Sequence, residues 1–152
     1  LNNSNLKVEN DGIDHINVYS KAKTKLGRRL SNFEHLPFEC EDGRFNSIEG
    51  YWYYLGTDSP QREQLRTLSG YKAKELGRSL DKLKIEPAVF RKKIKAAITI
   101  KICSSDIWRD LAISELPLVH YYAYGTKPVF APQHDWIIDH IIDLREWLKT
   151  VE

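Results

Sequence analysis

The spacing of apolar residues changes several times along the chain, and each change marks an element. Ile16, Asn17, Val18 and Tyr19 alternate as a short strand does. A basic loop, Lys21 to Arg29, follows it. Leu36 to Glu41 predicts a second strand, with Asp42-Gly43 as a hairpin turn and Arg44-Phe45 as the start of the returning strand. Ser47 has the chemistry of a helix N-cap, and a helix should run from Ile48 to Leu55, with Ile48, Trp52 and Leu55 on its apolar face. Ser59-Pro60 is a helix start, and a helix is predicted over 60–68. Beyond Gly70 the helical pattern resumes from Tyr71 to Arg78. Pro87 opens a long helix whose stripe is Phe90, Ile94, Ile98 and Ile102. Ser105 caps a further predicted helix through Glu115. Leu118 to Tyr124 has strand character, Gly125 to Pro132 reads as a loop, and Ile137, Ile141, Leu144 and Leu148 mark a last helix over 133–150. The pattern predicts a mainly helical α+β fold in which a small N-terminal β-sheet precedes five or six helices. Residues 1–14 are polar and carry an Asn-Asp-Gly turn signal, so they are expected to be a flexible N-terminal segment ahead of a single domain over 15–152.

Composition narrows the classes without choosing among them. The chain has 152 residues, enough to bury a core without staples. Its two cysteines, Cys40 and Cys103, lie far apart and outside any CxxC pattern, which argues against a disulfide framework or a zinc site and for two buried thiols. No stretch reaches bilayer length and no signal-peptide core is visible, so no membrane partner is expected and a cytoplasmic location is the default. A net charge of +2 does not by itself imply nucleic acid. Lys82, Lys84, Arg91, Lys92, Lys93, Lys95 and Lys101 nevertheless crowd one region. They form either a solvated helix face or an attractive field for an anion. No cofactor-binding loop of the glycine-rich type is present, and the histidines are not spaced as metal ligands.

The candidate chemistry centres on Glu49. It falls in the first turn of a helix dense in aromatic residues. The helix N-terminus favours its charge, whereas the surrounding rings withdraw it from water and raise its pKa. Such a carboxylate is either a general base or a group complementing the helix dipole. Tyr53 lies one helical turn further along the same face. The extended run beyond residue 118 puts His120, Tyr122 and Tyr124 on one side and Tyr121 on the other, as a stacking wall or as a strand of mixed burial.

The order of these motifs resembles the NADAR (YbiA-like) family. Asn17-Val18-Tyr19-Ser20 is similar to its N-x-Y-S strand, Ser31-Asn32-Phe33 to its SNF loop, and Ser47-Ile48-Glu49 to its T/S-x-E helix start. Ala73 to Arg78 is similar to its A…G-R helix, and Ile142 to Glu146 to its closing helix. The resemblance implies an N-glycosidase, a hydrolase acting on an ADP-ribosyl or ribosylamino compound, including ADP-ribosylated guanine in nucleic acid. It implies no cofactor. It makes Glu49 the catalytic residue and places Tyr19, Ser20, Lys21, Ser31, Asn32, Phe33, Trp52, Tyr53, Arg78 and Tyr124 at ligand-binding positions. In that scheme Arg78, with Lys21 or Arg29, holds phosphate, Asn32 fixes a ribose or base edge, and Phe33, Tyr53 and Trp52 stack. Phe33 and Trp52 are equally read as core packing.

Three family features are replaced. The lysine later in the glutamate helix gives way to Tyr53-Tyr54-Leu55-Gly56, and no tryptophan precedes the long central helix. The acidic Y-W-G-D-G motif becomes Tyr122-Ala123-Tyr124-Gly125-Thr126. These changes support an alternative, a non-catalytic module that sequesters ADP-ribose- or NAD-derived nucleotides. A third reading is nucleic-acid binding through the Lys82 to Lys101 region.

Overall fold

The computed structural model describes residues 3–151. Six α-helices and three two-stranded sheets occur among them. The mainly helical α+β class is as expected, but the strands form three separate pairs rather than one N-terminal sheet, and two of the pairs use chain beyond residue 117. The chain divides into two compact units, one running from Asn32 to Ser105 and the other joining the chain up to Ser31 with the chain from Asp106.

In the Asn32–Ser105 unit, β2 (Phe38–Cys40) and β3 (Gly43–Phe45) form a hairpin with Phe38 opposite Phe45. Gly43 turns it at φ +103, a conformation open to glycine. The helix α2 (Ile48–Leu55) follows at once. Ser47 caps it by accepting from the Gly50 N–H at 3.0 Å, while its own hydroxyl donates to the Leu68 carbonyl at 2.9 Å. The buried face of α2 differs from the predicted one: Ile48, Tyr51 and Tyr54 are inside, and Trp52 and Leu55 are only half-buried. The two phenols tolerate burial because each has a polar partner. Tyr51 donates to Asp42 at 2.6 Å, and the Tyr54 oxygen lies 3.0 Å from an Arg66 nitrogen. Phe38, Phe45, Tyr51 and Tyr54 make one aromatic cluster.

The segment predicted as a helix over 60–68 winds more tightly, as a 3-10 helix from Pro60 to Thr67. Gly70, at φ +55, is the first residue of α3 (Gly70–Ser79) rather than an interruption. The long helix α4 (Pro87–Cys103) starts where its proline predicts, capped by the Glu86 carboxylate, and buries Ile94, Ala97, Ile98 and Ile102. It packs on α2 and β2.

In the other unit, β1 (Ile16–Asn17) pairs in parallel with β4 (Leu118–Val119). The Asn17 side chain extends that pairing, donating to the Tyr121 carbonyl and accepting from its N–H, both at 3.0 Å. Half of the stretch expected to be a basic loop is the helix α1 (Lys25–Leu30), capped by Thr24. The helix α5 (Ile107–Ile113) is shorter than predicted and begins after Asp106, not Ser105. The loop expected over 125–132 contains a strand, β6 (Lys127–Phe130), which pairs with β5 (Tyr121–Tyr124). Pro128 obscured it, yet an edge strand accommodates a proline. The last helix, α6 (Asp135–Thr150), buries the predicted stripe against α5 and β4.

Residues 1 and 2 of the segment expected to be flexible lie outside the described residues. Residues 3–14 form two 3-10 turns and bury Leu6 and Asp11. The Asp11 carboxylate accepts the backbone N–H groups of Asn17 and Lys23, each at 2.9 Å. His15, fully buried, lies 2.7 Å from both Asp14 and the Tyr121 hydroxyl.

Candidate functional site

The loop Asn32-Phe33 ties together the starts of two helices. The Asn32 carbonyl accepts the Glu49 N–H at 2.9 Å, and the Phe33 carbonyl accepts the Gly70 N–H at 3.0 Å. These bonds satisfy donors that the first turns of α2 and α3 cannot satisfy internally. Glycines set how closely the helices approach. A Cβ at Gly50 would lie 2.4 Å from the Leu65 carbonyl oxygen, and one at Gly77 would lie 2.1 Å from Cγ of Tyr53. Only a hydrogen fits at either place, so α3 lies directly on the Tyr53 ring.

This packing gathers Phe33, Glu49, Tyr53, Lys74 and Arg78. Lys74 and Arg78 are four residues apart on α3 and share a face. Both cations act on Glu49, but burial outweighs them and pushes its carboxyl up to about 7. Among the described residues the carboxylate takes no hydrogen bond or ion pair. The Tyr53 phenol is raised by burial and by the Glu49 charge, while Arg78 pulls it the other way. The Lys74 ammonium lies 5.8 Å from the Phe33 ring centre, and Lys82, 5.2 Å from the Tyr53 ring, donates to the Gly77 carbonyl at 2.6 Å.

A half-buried acid with two cations near but not bonded to it is poised for proton transfer near neutral pH. An ion pair would have fixed it as a permanent anion. Arg78 is exposed and presents a planar fork suited to phosphate.

Of the residues named from sequence, Asn32, Phe33, Glu49, Tyr53 and Arg78 thus fall in one unit and around one point. Trp52 is in the same unit, but its ring packs edge-on against Phe90 of α4 at 4.7 Å. Tyr19, Ser20, Lys21, Ser31 and Tyr124 belong to the other unit. There Tyr19 and Ser20 are half-buried, Lys21 and Tyr124 are exposed, and Ser31 is buried at the end of α1. Arg29 is paired with Asp106 at 2.8 Å. Lys74 was missed from sequence: its four-residue spacing puts it on the Arg78 face of α3, but only helix packing brings that face to Glu49.

The basic region is less available than its sequence suggests. Lys101 is 1% exposed, Lys93 pairs with Glu41 and Asp42, and Lys82 is bonded to the backbone. A groove of about 500 Å³ opens beside α4, lined by Cys40, Glu41, Tyr51, Val89, Lys92 and Lys93 among others. It contains none of the residues gathered at Glu49, and its Tyr51 and Lys93 are bonded to neighbouring carboxylates. The cysteines are not buried as expected: Cys40 is half-buried and Cys103 exposed. Among the described residues no group of three or more His, Cys, Asp and Glu is arranged to hold a metal, and no helix is long and apolar enough to cross a membrane.

The architecture is that of a mainly helical α+β protein with a glutamate in the first turn of an aromatic-rich helix. No family model and no curated protein matches the chain. The fold is similar to that of the E. coli protein YbiA, solved by NMR, with a TM-score of 0.67 and 22% identity over 95% of this chain and 94% of that one. The chain therefore has a YbiA-like fold, as its sequence resemblance implied.

Proposed function

We propose that the chain is an N-glycosidase acting on an ADP-ribosyl or ribosylamino compound, with Glu49 as its catalytic carboxylate. The observation that carries this reading is the unbonded Glu49 carboxyl, pushed up to about 7 beside two cations. Hydrolysis of an N-glycoside develops positive charge at C1′. Ionised Glu49 stabilises that charge and takes a proton from the attacking water. The water oxygen bonds to C1′, the C1′–N bond breaks with its electron pair going to nitrogen, and the departing nitrogen takes up a proton from solvent. Arg78 grips a phosphate through two oxygens, and Lys74 supplies a second positive charge. Phe33 and Tyr53 offer ring surface to the ligand. The resemblance of the Ser31-Asn32-Phe33, Ser47-Ile48-Glu49 and Gly77-Arg78 segments to NADAR proteins supports the same assignment.

The test is incubation of wild type and Glu49→Gln with ADP-ribosylated guanosine, ADP-ribose and NAD, followed by mass spectrometry. Cleavage by wild type, lost in a folded Glu49→Gln, is the expected result. Equal turnover by both proteins would overturn the role of Glu49. One observation favours the sequestering alternative: Tyr122-Ala123-Tyr124-Gly125 supplies no second carboxylate. Intact recovery of bound ligand from wild type after denaturation would establish that alternative.

A further inference from the structure

In the unit that contains β1 and β5, three rings form a continuous ladder that the proposed chemistry does not use. The rings of Tyr19 and Tyr122 meet edge to face at 6.0 Å, and those of Tyr122 and His120 meet edge to face at 5.0 Å. All three residues are half-buried. Alternation along the strand explains the separation from the core: Tyr121, between His120 and Tyr122, is fully buried on the opposite side.

His120 gives the ladder a polar edge of defined sense. Its Nδ1 lies 2.7 Å from the Val18 carbonyl oxygen. A carbonyl only accepts, so Nδ1 carries the proton. Burial lowers the pKa of the ring below the ordinary histidine value, despite the opposing Val18 carbonyl and Asp135 carboxylate. The neutral ring therefore leaves Nε2 as a lone-pair acceptor. No described residue donates to that nitrogen. A fixed acceptor flanked by aromatic rings matches a planar heterocycle carrying an N–H on its edge.

We propose that Tyr19, His120 and Tyr122 form a nucleobase seat for an amino-bearing purine, in which His120 Nε2 accepts an N–H from the base edge and the tyrosines make the ring contacts. This goes beyond the assignment of Glu49 and does not depend on it. Two neighbouring chemistries fit less well. A phosphate needs donors, and Nε2 offers none in the neutral ring. A metal ion needs a ligand set, and none of three or more His, Cys, Asp and Glu exists among the described residues.

The test is calorimetric titration of the whole chain with adenosine, guanosine and free ribose. The variants are His120→Asn and Tyr122→Leu. Asparagine can still donate to the Val18 carbonyl from the Nδ1 position, so His120→Asn removes the Nε2 acceptor while keeping the bond that orders the strand. The expected result is millimolar or tighter binding of at least one nucleoside and none of ribose. Each variant should weaken nucleoside binding about tenfold with an unchanged melting temperature. If Tyr122→Leu melts early, Tyr19→Ala replaces it as the ring variant. Absence of nucleoside binding at millimolar concentration overturns the proposal, as does wild-type affinity in His120→Asn. Glu49→Gln should bind nucleoside like wild type, so loss of turnover and loss of base binding report on separate claims.

Discussion

Gly77 and Tyr53 touch without room for a methyl group. A Cβ on the glycine would stand 2.1 Å from Cγ of the tyrosine and 2.5 Å from its Cβ. Both obstructing atoms lie at the root of the side chain, where rotation about χ2 cannot move them. This contact determines how α3 lies on α2, and so how Arg78 and Lys74 stand to Glu49.

Gly77→Ala therefore sets two effects against each other. Alanine favours a helix over glycine by about 1 kcal/mol, whereas overpacking costs about 1–3 kcal/mol and here requires the helices to separate. The clash should win, giving a net loss of up to about 2 kcal/mol in urea unfolding. Binding of phosphorylated ligand should fall with it. A more stable Gly77→Ala protein would show that α3 approaches α2 less closely than described.

Glu49→Gln should stabilise the protein at alkaline pH while abolishing turnover. The Glu49 carboxyl moves from an ordinary 4.5 up to about 7 on folding. Between those values the folded state holds a proton that the unfolded state releases, so stability falls as pH rises through this window. The contribution is fully present below 4.5 and lost above about 7. A shift of this size corresponds to about 3 kcal/mol. Unfolding at pH 8 should show Glu49→Gln more stable by roughly that amount, with the two proteins converging near pH 4. Parallel stability curves across the range would contradict the raised pKa.

The two cations of α3 should separate in kinetics. Lys74→Met removes a charge that holds the Glu49 pKa down, so the acid limb of the pH–rate profile should move to higher pH. Arg78→Lys keeps the charge but loses the fork, so KM for a phosphorylated substrate should rise about tenfold with the acid limb unmoved. A wild-type KM in Arg78→Lys would mean that Arg78 acts only as a charge.

Ser47→Ala removes both an N-cap acceptor and the partner of the Leu68 carbonyl, at a position with no exposure. The expected cost is about 1–2 kcal/mol in denaturant unfolding. Because Glu49 follows Ser47 by two residues, activity should fall more than stability alone explains.

Local chemistry made α2, α4 and α6 legible in the sequence. Ser47, Pro87 and the Ile137-Ile141-Leu144-Leu148 stripe act on neighbours within a turn or two. What was illegible depends on partners far along the chain. Asp11 and His15 are polar residues in a polar stretch, and nothing beside them shows that one is closed by Lys23 and Asn17 and the other by Tyr121. Tyr51 and Tyr54 displaced Trp52 from the inner face of α2 because Asp42 and Arg66 satisfy their hydroxyls. At the site, Glu49, Tyr53 and Arg78 could be named from their order. Lys74 could not be singled out, because its proximity to Glu49 follows from helix packing at Gly77.

The parallel pairing of β1 with β4 has a consequence for biosynthesis. Ile16 leaves the ribosome before its partner Leu118, which is made only after the whole Asn32–Ser105 unit has been translated. That unit is continuous in sequence. The β1 pairing cannot form until Leu118 and Val119 have emerged. A ribosome stalled before Leu118 would therefore carry an unpaired apolar strand, a natural target for chaperones.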